Sequence, residues 1–196
     1  MTDLSPKLPS PIPAEARKVY SGQIFSLHQW PVTLYDGSSA TFEAISRPST
    51  VSILAITPDK KILVTRQEQP SRAPFYSLLG GVVDSGEQPH RAAEREAAEE
   101  AGISQAEWEL WFATRLTEKI DWTLYQYIAR DCRVTQPTAR DAGEKIELIP
   151  ASWEEFLSII KRDDFRDLVV ALRVFRQMSD EGGEASLRRW LFGDER

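Results

Sequence analysis

Three glutamates, Glu96, Glu99 and Glu100, follow Arg95 in the stretch PHRAAEREAAEEAG. On a helix, at about 100° per residue, their carboxylates share one arc of roughly 100°. Like charges three and four residues apart repel by a few tenths of a kcal/mol per pair unless a cation sits among them. Mg²⁺ suits the part: it takes oxygen donors, keeps much of its own water, and completes its shell with substrate phosphate. Mn²⁺ shares that preference for oxygen. A glutamate-rich helix alone is ordinarily a solvated face, so the weight rests on what surrounds it.

The surroundings are a punctuated strand, loop and helix. Gly80 and Gly81 close the apolar run 75–79, Gly86 lies in the turn-like DSGE, and Gly102 stands where a C′ glycine ends a helix, with Ile103 packing after it. Gly81, Glu87, Arg95, Glu96, Glu99, Glu100, Gly102 and Ile103 together resemble the Nudix box, with Ala97 in the slot that more commonly holds a bulkier aliphatic residue.

That resemblance implies an α/β/α sandwich around a mixed sheet. It implies that Glu96 and Glu100 are the principal ligands of Mg²⁺, for which Mn²⁺ substitutes, with Glu99 a third carboxylate and the Gly80 carbonyl completing the shell. Arg95 would pair with a box carboxylate, Glu87 foremost, while Gly81, Glu87 and Gly102 shape the motif. An N-terminal meander, a Q-x-x-P segment (Gln67 to Pro70) and a late acidic loop resemble the ADP-ribose and nucleotide-sugar diphosphatase branch. In that branch a further acidic residue reaches towards the metals. Glu144 matches its position, with Asp141 and Glu147 as rivals, and either Glu144 or a box glutamate would be the general base. The branch implies a homodimer joined through its N-terminal strands.

The chain also departs from that branch. Gln67-Glu68-Gln69-Pro70 lacks the usual arginine, and Tyr76-Ser77-Leu78-Leu79-Gly80-Gly81 replaces a Trp-Glu-Leu-Pro-Ala-Gly run. Arg72, Tyr76 and Gln69 are the candidate substrate contacts, and Trp108, Trp111 and Trp122 are aromatic candidates for a base pocket that strands also use as core. The expected reaction is hydrolysis of the pyrophosphate in a nucleoside diphosphate linked to a sugar or similar group. The alternatives are another Nudix pyrophosphohydrolysis, such as that of a nucleoside triphosphate, or a Nudix-fold sensor that binds a nucleotide metabolite without cleaving it.

Composition narrows the setting. A formal charge of −6 lacks the basic stripe that a nucleic-acid binder needs. Cys132 is the only cysteine, which excludes an intrachain disulfide and a thiolate zinc site and suits a reducing cytoplasm. Neither a signal sequence nor an apolar stretch of membrane-spanning length is present, so no membrane partner is expected.

Four units follow from the pattern: a Pro-rich arm at 1–17, N-terminal antiparallel strands at 18–47 that include the dimer element, the catalytic domain at 48–178, and a tail at 179–196. The turn Asp36-Gly37 predicts a hairpin, and 51–57 with 62–67 predict a central hairpin. Strands are expected over 108–117, 123–129 and 146–150. Ser152 with Glu155 reads as a capping box opening a helix over 153–161, and an apolar stripe predicts a second helix over 165–178. Leu187, Trp190, Leu191 and Phe192 predict a last amphipathic helix that docks on the body or on a second subunit.

Overall fold

The computed structural model describes residues 6, 8–135, 137, 138 and 145–193. Asp141 and Glu144 lie outside the described residues. The chain opens with β1 (Arg17–Ser21), β2 (Ser26–Thr33) and β3 (Ser39–Ser46), an antiparallel meander. Its second turn is held by the Asp36 carboxylate, which accepts from the Ser38 amide at 3.0 Å and the Ser38 hydroxyl at 2.6 Å. Ahead of β1, Pro9 and Ser10 touch the body. Arg115 Nη2 donates to the Pro9 carbonyl at 2.6 Å, and the Ser10 hydroxyl donates to Asp121 at 2.7 Å.

Next come β4 (Thr50–Ile56), β5 (Ile62–Glu68), β6 (Phe75–Ser77) and β7 (Leu79–Val82), then helix α1 (Pro89–Ala101). After it run β8 (Ile103–Thr114), β9 (Ile120–Asp121), β10 (Leu124–Val134) and β11 (Lys145–Ala151). The main sheet is ordered β11-β5-β4-β10-β8 and is mixed: β10 runs parallel to β4 and the other pairs are antiparallel. A second sheet, β1-β2-β3-β9, ends on a short parallel pair.

The central hairpin differs from the simple one expected. β4 and β5 pair only next to their turn, at Ala55 with Leu63 and Ile56 with Ile62, and then splay. Into the gap goes the segment 75–82, whose first half, β6, pairs with β5 and whose second half, β7, pairs with β4. The expected apolar run 75–79 is therefore two short strands that change ladders at Leu78.

The helices form the outer layers: α1 on one face, and α2 (Trp153–Ile159), α3 (Leu168–Ser179) and α4 (Gly183–Phe192) on the other. Ser152 and Glu155 form the expected capping box, with bonds of 3.2 and 2.7 Å. α3 starts three residues later than its apolar stripe suggests. Phe165 is committed elsewhere, because the Tyr76 amide donates to the Asp164 carbonyl and the Arg166 amide to the Tyr76 carbonyl, both at 2.9 Å, which makes 164–166 an extra edge partner for β6. α4 docks on the body: Leu187 and Leu191 are buried, and Arg130 donates to the carbonyls of Leu191 at 3.0 Å and Trp190 at 3.1 Å. Burying a side chain the size of Leu191 contributes about 2 kcal/mol. Among the described residues no helix is long and apolar enough to cross a membrane.

Candidate active site

The face of α1 that meets the sheet is made of Ala92, Ala93, Ala97 and Ala101, all fully buried. Alanine has the highest helix propensity and the least bulk, so the helix forms readily and comes close to β4 and β7. Ala97, the small residue in the usual bulky slot, belongs to this close contact. Gly102 ends the helix in the left-handed region at φ 66°, and its amide returns to the carbonyls of Ala97 and Ala98.

Closeness brings the carboxylates onto the backbone of β7. Glu100 is 6% exposed and its Oε2 accepts the Gly80 amide at 2.9 Å. Glu96 lies against Gly81 so tightly that a Cβ built there would overlap its carboxylate. Gly80 is constrained from the other side, where a Cβ would strike the backbone of Val51 and Ser52 on β4. The two glycines are thus required by close contact, Gly81 with the Glu96 carboxylate on α1 and Gly80 with the backbone of its ladder neighbour β4.

Arg95 gathers the rest. Its Nε and Nη2 grip Glu87 with two bonds of 3.0 Å, Nη2 also reaches the Val82 carbonyl at 2.8 Å, and Nη1 donates to Glu96 at 2.9 Å and Glu99 at 3.1 Å. Glu87 in turn accepts the Asp84 amide at 3.1 Å. One guanidinium therefore ties the loop 82–87 to α1. Its bonds to Glu87 hold that carboxyl below the usual range, and the carboxylates around Arg95 push its own pKa further up.

Glu96, Glu99, Glu100 and the backbone beside Gly80 are all hard oxygen donors on one patch, the set that suits Mg²⁺ or Mn²⁺. Among the described residues no three acidic, histidine or cysteine side chains converge as a ready-made cage. Here Glu96 and Glu99 turn to Arg95 while Glu100 turns to Gly80. The donors fit the cation in kind, with Arg95 as the counter-charge that such a cation would share or replace.

Other residues named from the sequence lie further off. Gln69 and Arg72 sit on the turn between β5 and β6, where the Arg72 amide donates to the Gln69 carbonyl at 3.2 Å. Tyr76 packs on the α2–α3 side of the sheet with the Arg162 guanidinium 4.8 Å from its ring centre. Glu147 stands opposite Arg66 on β5, 3.8 Å from its guanidinium. Trp108 packs against His90 and Tyr127, and Trp111 against Phe112 and Trp190, both partly buried against the core.

Trp122 is different, and it exposes a residue that the sequence reading missed. Its indole donates to Thr50, the ladder partner of Val82, at 2.9 Å, and its ring lies 4.9 Å from the Arg47 guanidinium. Phe25 approaches the same guanidinium at 5.7 Å, and Arg47 Nε is buried with no hydrogen-bond partner among the described residues. The Arg47 guanidinium is thus flanked by two rings beside the end of β7. In sequence Arg47 carries no signal, because it precedes Pro48 in an unremarkable linker.

Residues 46–171 match the NUDIX domain, and the chain belongs to the Nudix family. It is 28% identical over 164 residues to a methanol dehydrogenase activator of Bacillus methanolicus, covering 82% of this chain and 88% of that one. It is 23% identical over 165 residues to an ADP-ribose pyrophosphatase of Bacillus subtilis (strain 168), covering 80% and 86%. A crystal structure of an ADP compounds hydrolase superposes with a TM-score of 0.69 at 20% identity, over 91% of this chain and 99% of that one, which establishes the shared fold.

Proposed function

We propose that this Nudix hydrolase cleaves the pyrophosphate of a nucleoside diphosphate linked to a sugar or similar group, in the manner of an ADP-ribose or nucleotide-sugar diphosphatase. The observation that carries the reading is Glu100, a buried carboxylate held on the Gly80 amide next to Glu96 under Gly81. Further support comes from the relative named ADP-ribose pyrophosphatase. Glu96, Glu99, Glu100 and the Gly80 carbonyl would hold Mg²⁺ or Mn²⁺. The bound cation would neutralise charge on the phosphoryl oxygens and lower the pKa of water.

The chain's own groups do the rest. Arg95 keeps the loop 82–87 and the carboxylates in register, and a box glutamate or Glu144 takes the proton of the attacking water. Arg47, between Phe25 and Trp122, offers a cation and two aromatic faces to the nucleotide, with Arg72, Tyr76 and Gln69 as more distant contacts. The N-terminal sheet and its turns expose Tyr20, Ile24 and Tyr35; a homodimer built through them would cover these side chains, which light scattering on the purified chain tests.

Phosphate-coupled assays on ADP-ribose, ADP- and GDP-hexoses, dinucleotides and nucleoside triphosphates, with and without Mg²⁺ or Mn²⁺, test the reaction. Metal-dependent cleavage of one diphosphate class is expected, reduced about 10²-fold or more in Glu100→Gln. Cleavage confined to nucleoside triphosphates would transfer the reading to that class. A second reading, a nucleotide-metabolite binder acting on another protein, draws on the relative named as an activator. Thermal stabilisation by a nucleotide without any turnover would favour it.

A further inference from the structure

Between Ser77 and Gly80 the backbone leaves one ladder and joins another. Ser77 is the last partner of β5, opposite Thr65, and Leu79 is the first partner of β4, opposite Ile53, so Leu78 belongs to neither. A buried amide at such a crossing needs an acceptor from elsewhere. Asp167 supplies it: its Oδ2 accepts the Leu78 amide and the Ser77 hydroxyl, both at 2.8 Å, and its Oδ1 accepts the Ser52 hydroxyl at 3.1 Å. Ser52 is itself the ladder partner of Gly80.

Asp167 occupies the N-cap position of α3, yet its carboxylate makes no bond to its own helix. A capping aspartate usually satisfies the first-turn amides and is worth about 1 kcal/mol there. Here that role is given up, and all three acceptor contacts go to the crossing at Ser77–Leu78 and to Ser52, the ladder partner of Gly80. The segment is thus clamped from both faces of the sheet, by Asp167 at Leu78 on the α3 side and by Glu100 at Gly80 on the α1 side.

We propose that Asp167 is a positioning residue for the hydrolytic site, holding the crossing at Ser77–Leu78 so that the Gly80 peptide meets Glu100 in the orientation the site requires. The proposal rests on the reading of the glutamate patch given above. Asparagine can keep the clamp: its oxygen accepts from Leu78 and Ser77, and its amide faces the Ser52 hydroxyl, which rotates to accept. Alanine removes all three contacts.

The test uses the full chain and four readouts: amide exchange at Leu78 and Gly80 without metal, Mn²⁺ affinity by calorimetry, kcat and KM, and the melting temperature. In Asp167→Ala, exchange at these two amides should quicken about tenfold beyond the global change. Mn²⁺ binding should weaken several-fold and kcat should fall more than KM rises. Asp167→Asn should restore all three to within about twofold of wild type. Leu187→Ala, a core change under α4, gives the size of a purely global effect. If Asp167→Ala merely matches it at these amides and keeps its Mn²⁺ affinity and kcat, the role assigned to Asp167 is wrong. Should Asp167→Ala not fold, the Ser52→Ala, Ser77→Ala double variant carries the same expectations at smaller size. A wild type that neither binds Mn²⁺ nor cleaves any diphosphate would instead sink the reading of the site, and this role with it.

Discussion

Replacing Gly81 by alanine separates stability from activity. The added methyl would overlap Glu96, and even the farther oxygen, Oε2, would lie 2.6 Å from it. The carboxylate must retreat by roughly 1 Å to regain van der Waals distance. Gly81 is not among the glycines with positive φ, so alanine fits the backbone and stabilises by about 0.4–1 kcal/mol through the unfolded chain. Against this stands one charge-assisted bond, from Arg95 to Glu96, worth about 1–1.5 kcal/mol at this partial exposure. The net change is within about 1 kcal/mol, or less than about 4 °C in melting temperature for a chain of this size. A carboxylate displaced by that much should lower kcat/KM by about 10²-fold. Scanning fluorimetry and the coupled phosphate assay measure the two quantities on one preparation. Activity within a factor of about three of wild type would refute the placement of Glu96 in the reaction.

Three other perturbations probe neighbouring contacts. Arg95→Lys keeps the charge but loses the fork on Glu87 and should destabilise by about 1–2 kcal/mol in urea titrations. Because Arg95 holds the Glu87 carboxyl low, the advantage of wild type over Glu87→Gln is fully present above the unfolded value and is lost as pH falls through the folded one. Urea midpoints of the pair should differ by a constant amount above roughly pH 5 and converge below it. Arg130→Ala removes the bonds to the last carbonyls of α4 and the stacking on Trp190, so amide exchange in 183–192 should accelerate while that in α1 does not change.

What could be read from the chain depended on how local each device is. The box closes over short distances, with Gly80 and Glu100 20 residues apart and Arg95 and Glu87 eight, and the separate capping box of α2 joins Ser152 and Glu155 across three. Spacing therefore carries their geometry. Leu187 and Leu191 were legible as a buried stripe by helical period alone. The splayed hairpin was not, since an apolar run of five residues does not reveal that Leu78 changes partners. Asp167 was invisible for the same reason: it precedes Leu168 as an ordinary cap would, and its three partners lie 89 to 115 residues away. Arg47 becomes distinctive only when Phe25, from the β1–β2 turn, and Trp122, from the link between β9 and β10, arrive beside it.

The two clamps on the segment 78–80 also become available at different times while the chain is made. Glu100 follows Gly80 by 20 residues, so α1 can meet β7 soon after the ribosome releases them. Asp167 follows Leu78 by 89 residues, and at roughly 5–20 residues per second it emerges several seconds later. During that interval the crossing at Leu78 lacks its acceptor. Closing that long loop is the slower contact. The nascent chain should therefore acquire its glutamate patch before it acquires a rigid one, and its last step towards competence should be the arrival of α3.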